Sequence, residues 1–144
     1  MLTGDCKLSL YSGKTQLIEF GRFAKSNREQ RGVGKPKSFD FLGFTHIYSI
    51  QRDNGKFKLM RGSIKKKLRV KIKQIGHTLM QHRHKQLWEL GSWLRKVLTG
   101  YYNYFAIPVN YTSLQMMRTE VTQAWIKAMR RRSQKGRNFN WFKM

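Results

Sequence analysis

The chain changes periodicity at Arg61-Gly62-Ser63, and that change limits the folds open to it. Beyond it, apolar residues recur at helical spacing in three successive segments. Ile64, Leu68, Ile72, Ile75 and Leu79 fall within an arc of about 80° on a helical wheel. Leu87, Leu90, Leu94, Val97, Leu98, Tyr101, Tyr102 and Phe105 share about 140°, and Pro108 ends the segment. Leu114, Met117, Val121, Ala124, Trp125, Ala128 and Met129 share another arc of about 140°. Ser63 is placed to cap the first helix, and Thr112 with Gln115 has the capping-box spacing that opens the third. Short connections between amphipathic helices predict a compact three-helix unit.

Ahead of the change, short aromatic and β-branched runs alternate with turn formers. Residues 15–20 and 39–48 predict two strands, and residues 57–60 predict a third, reached through the turn signal Asp53-Asn54-Gly55. Residues 25–37, with Gly32, Gly34 and Pro36 among basic side chains, predict a mobile basic loop. Three short strands and a polar connector make a weak independent domain, so they predict the edge of a larger sheet. The expected class is α+β: a small antiparallel sheet in residues 1–62, the helical unit in 63–136, and a basic, aromatic tail in 137–144.

Charge narrows the function. Thirty Lys and Arg stand against seven Asp and Glu, a formal net charge of +23 over 144 residues. Such an excess cannot be neutralised internally and calls for a polyanion. Ile, Leu, Val and Phe make up about 24 % of the chain, enough for a core rather than disorder. A single cysteine, Cys6, rules out an intrachain disulfide framework. No signal pattern and no membrane-length apolar run is present, which predicts a cytoplasmic, nucleoid- or RNA-associated protein, or an organelle-matrix one in a eukaryote, with no membrane partner.

The candidate phosphate-binding residues are Lys65, Lys66, Arg69 and Lys73 on the polar side of the first helix. Arg83, Lys85, Arg95, Lys96, Arg118, Lys127, Arg130, Arg131, Arg132, Lys135 and Arg137 follow. Lys67 and Lys71 flank the apolar stripe. Solvated faces are normally mixed in sign, whereas this one is cationic throughout. Trp88, Trp93, Tyr104, Trp141 and Phe142 are candidates for stacking on unpaired bases, while Tyr101 and Tyr102 belong to the apolar stripe.

Catalytic patterns find little support. Gly13-Lys14-Thr15 resembles the end of a phosphate-binding loop, but Leu8 stands where the loop's first glycine is needed. The carboxylates are scattered singly, His77, His82 and His84 lack a nearby thiol or carboxylate set, and no nucleophile–base arrangement can be argued. No catalytic residue and no metal ligand is therefore expected.

The run Lys14-Thr15-Gln16-Leu17-Ile18-Glu19-Phe20-Gly21-Arg22-Phe23, followed by Ser38-Phe39-Asp40-Phe41-Leu42-Gly43-Phe44-Thr45-His46, resembles the late palm segments of group II intron reverse transcriptases. Phe41, Leu42, Gly43 and Phe44 resemble that family's primer grip. Residues from Ile64 through Arg95-Lys96-Val97-Leu98-Thr99-Gly100-Tyr101-Tyr102-Asn103-Tyr104 to Arg130-Arg131-Arg132-Ser133-Gln134-Lys135-Gly136 resemble its maturase-specific, thumb-like domain. The resemblance implies a palm remnant followed by a maturase bundle, in a C-terminal fragment or truncated product of a mobile-element protein. It implies binding to group II intron RNA in RNA splicing, with DNA or an RNA–DNA duplex as a further ligand and a separate polypeptide supplying the upstream part. Family polymerases use magnesium at a Tyr-x-Asp-Asp motif that this sequence lacks, so RNA-directed DNA polymerase activity is not expected of this chain alone, nor a cofactor in it.

Overall fold

The computed structural model describes residues 17–132. A short helix, α1 (Ala24–Gln30), precedes β1 (Phe39–Phe41), β2 (Phe44–Ile50) and β3 (Phe57–Ser63). Three longer helices follow: α2 (Lys65–Gln81), α3 (Leu87–Phe105) and α4 (Tyr111–Arg130). The class is mixed α+β. The sheet is antiparallel in the order β1-β2-β3, with Phe41 opposite Phe44 and Phe44 opposite Ser63.

The part ahead of α2 departs from expectation in three places. Residues 15 and 16 lie outside the described residues, and residues 17–20 form no strand. Leu17 is fully exposed, and Phe20 instead sets its ring edge-on against Phe39 and Phe57, at 5.0 and 6.1 Å, so it covers the sheet face and extends no edge. Residues 39–48 are not one strand but a hairpin reversing at Leu42-Gly43. Both residues have positive φ, 47° and 83°, the sign a type I′ turn requires to match strand twist. Residues 25–37 are not wholly a loop. Residues 24–30 close into α1, Lys25 pairs with Glu29 one turn on, Arg31 pairs with Glu19, and the Arg28 Nε–H donates to the Gly34 carbonyl at 2.7 Å.

The helical periodicity is realised. Leu68, Ile75, Leu79, Leu90, Tyr101, Met117, Val121, Ala128 and Met129 form one buried core, with Ile72, Leu94, Val97, Leu98, Phe105 and Trp125 packed around it. Helix α2 lies close against α4. A Cβ added at Gly76 would stand 3.7 Å from the Ala124 Cβ, so two small residues bring the backbones together. Both predicted caps are corrected. Ser63 ends β3, and Ile64 occupies the N-cap of α2 without a side-chain cap. Asn110, rather than Thr112, precedes α4. Ser63 and Asn110 are diverted because they bond each other: the Asn110 carboxamide accepts the Ser63 N–H and donates to the Ser63 Oγ, both at 2.8 Å.

Candidate nucleic-acid interface

Helix α2 sits between two grooves, and its cations stand on the ridge dividing them. The reason is its sequence: Leu68, Ile75 and Leu79 turn inward, which leaves Lys65, Lys66, Lys67, Arg69, Lys71 and Lys73 all exposed. Among the described residues, none of these makes an ion pair with a carboxylate. Among the described residues their ammonium and guanidinium groups are therefore unneutralised. The acidic residues of α2–α4 are Glu89 and Glu120 alone.

The first groove, about 570 Å³, runs between the start of α2 and the end of α3. Lys66, Lys67 and Lys71 line it together with Val70, Gln74, Tyr101 and Phe105. Lys67 and Lys71 were not among the sequence candidates. Their position flanking the apolar stripe was the available signal, since a flanking lysine lays its stem on apolar surface and holds its head at the rim. The second groove lies between α2 and α4, where Lys73 and His77 face Gln123 and Lys127, with Glu120 also present. It continues past Gln123 and Lys127 to Ile126, Arg130 and Arg131.

Other candidates lie apart. Lys85 lines a smaller recess with His82, Glu89 and Trp93. The half-buried Arg83 donates from Nη1 to the Met80 carbonyl at 2.9 Å, a local helix-end bond. Arg95 and Lys96 are exposed on α3 and line none of these grooves. Arg118 acts on Tyr102, whose hydroxyl pKa is raised by burial and drawn partly back by that guanidinium. Arg132 is half-buried just past α4, and Lys135 and Arg137 lie outside the described residues.

The aromatic candidates divide similarly. Trp88 is 72 % exposed and available for stacking. Trp93 packs against the core. Tyr104 is already engaged: its ring stacks on Phe44 at 5.7 Å and its hydroxyl donates to the Leu42 carbonyl at 2.7 Å. Trp141 and Phe142 lie outside the described residues.

The Phe41-Leu42-Gly43-Phe44 segment is fastened to the helical part through its turn and the start of β2. Besides the Tyr104 bond, the Gly43 carbonyl accepts the Ile64 N–H at 3.1 Å, and buried Phe44 meets Phe105 at 5.1 Å. The hairpin tip thus moves with α2 and α3.

The described residues do not fit a magnesium site of the family kind. Glu19 and Glu29 are committed to Arg31 and Lys25, Asp40 accepts the Thr45 hydroxyl, and no three His, Cys, Asp or Glu among the described residues gather as a ligand set. No described helix is long and apolar enough to cross a membrane. The chain has no significant match among protein-family models, curated proteins or solved structures. Fold and site define an α+β protein with a cationic helical ridge, and the functional reading rests on that ridge.

Proposed function

We propose that the chain is an RNA-binding, maturase-type fragment that docks on folded group II intron RNA and favours its splicing-competent conformation. The observation that carries the reading is the exposed, unpaired cations of α2, held on a rigid helix between two grooves. Fixed cations on a helix neutralise closely spaced phosphates and release their counterions, which is the main source of affinity for nucleic acid. The resemblance of residues 64–136 to maturase domains directs the proposal to intron RNA rather than to polyanions in general. In this reading the protein contributes binding: it selects one conformation of the RNA from several, and the RNA performs the chemistry. Magnesium and an upstream polymerase polypeptide belong to the wider family picture and are not required of this chain.

The test compares a folded group II intron RNA with a length-matched random RNA in filter binding. Tighter binding to the intron supports the reading. Equal affinity for both overturns it, because phosphate contacts alone carry no sequence preference.

A further inference from the structure

The groove between α2 and α3 has a chemistry that backbone neutralisation does not use. Tyr101 and Phe105 line its α3 side, their rings stacked on each other at 4.4 Å with 25° between their planes. Its rim is cationic, with Lys66, Lys67 and Lys71 and no carboxylate among the lining residues. The first turn of α2 opens beside it without a side-chain cap and without an acidic residue, so its N–H groups add to the attraction for an anion.

Tyr101 is 8 % exposed, and its hydroxyl is met from within the protein: the neighbouring Ser63 Oγ accepts the Asn110 Nδ2–H and keeps its own O–H for the Tyr101 oxygen. The polar demand of the groove is carried by its lysines, whose ammonium groups meet no carboxylate among the described residues.

We propose that this groove takes a single unstacked nucleobase of the bound RNA. The base face lies on the apolar lining offered by Phe105 and Val70, and Lys66, Lys67 and Lys71 hold the adjoining phosphates. The proposal rests on the RNA-binding reading above. A lipid chain or an apolar peptide would cover the apolar lining but would not answer the lysines. A base supplies a flat π face and donors and acceptors at its edge, joined to anionic groups on either side.

The probes are short oligouridine RNAs carrying either one fluorescent purine analogue or, at the same position, an abasic site. Binding to the full chain is expected to quench the analogue, and the abasic probe to bind at least about fivefold more weakly, the effect of one stacked base. Val70→Arg lies on the exposed wall of the groove. It fills the space while adding a cation, so the ratio should approach one with no loss of affinity for the abasic probe. Equal binding of the two probes by the unaltered chain overturns the base site and leaves RNA binding by the ridge standing. No binding of either probe likewise overturns the base site, while the ridge is decided by the folded intron RNA.

Discussion

Asn110 and Ser63, 47 positions apart, are joined by two buried hydrogen bonds of 2.8 Å. A further bond runs from the Asn110 Nδ2–H to the Phe105 carbonyl, also at 2.8 Å. One side chain therefore fixes the end of β3, the end of α3 and the entry to α4. Replacing Asn110 with Ala leaves the buried Ser63 N–H unmet, while the Phe105 carbonyl keeps the Ile107 N–H. The expected loss is about 1–3 kcal/mol, the cost of one unmet buried group. Urea unfolding of the variant measures it, and a loss below about 0.5 kcal/mol, the range of ordinary surface changes, contradicts the arrangement.

The hairpin turn makes an opposite pair of predictions. Leu42 holds φ 47° and is 67 % exposed, a position where Asn is better suited. Leu42→Asn keeps the carbonyl that accepts the Tyr104 hydroxyl and should raise stability by about 0.5–1 kcal/mol, through the lower cost of left-handed backbone in Asn. At Gly43, φ is 83° and an added Cβ would meet the Phe105 ring at 3.4 Å. Gly43→Ala should cost about 1–2 kcal/mol. Thermal unfolding of both variants reads the two signs.

At the α2–α4 crossing, the available space decides the sign. A Cβ at Gly76 meets Ala124 at 3.7 Å, an ordinary contact, in a helix where Gly is a poor former. Gly76→Ala should stabilise by about 0.5–1 kcal/mol. Gly76→Leu exceeds the space and should destabilise by about 1–3 kcal/mol as the helices are forced apart. Denaturant titration distinguishes them.

Alkaline pH should expose the buried tyrosines. Burial pushes the Tyr101 and Tyr102 hydroxyls above the ordinary value of 10.0. Above that pH the unfolded chain loses these protons while the folded chain retains them, so the unfolded state gains. Their contribution is complete below the ordinary value and lost as pH rises through the raised values. The Tyr101→Phe, Tyr102→Phe double variant should lose less stability than the parent between neutral pH and pH above 10.0, measured by unfolding at each pH. Parallel pH profiles would contradict the buried placement.

The helices were legible because each buries a stripe that periodicity reveals: Leu68, Ile75 and Leu79 lie inside, as their spacing requires. Helix α1 was not legible, since Ala24 is its single buried residue and no stripe marks it. The reversal at Leu42-Gly43 was hidden within an aromatic run that reads as continuous strand, with one glycine as its signal. The Ser63 cap failed for a tertiary reason, because its N–H and hydroxyl bond Asn110 across 47 positions, whereas Thr112 failed because α4 begins one residue earlier, at Tyr111. The exposed lysines of α2 followed from its helical wheel. The two grooves beside them did not, because they depend on where α3 and α4 lie.

The claim at the centre is that the α2 ridge itself contacts RNA phosphates. The salt dependence of binding a folded group II intron RNA measures this most directly, comparing the parent chain with a variant carrying Ala at Lys65, Lys66, Arg69 and Lys73. The account predicts a steep fall in affinity with salt for the parent. For the variant it predicts a slope reduced by about one for each cation that meets a phosphate. An unchanged slope in the variant, with its fold intact, would contradict it.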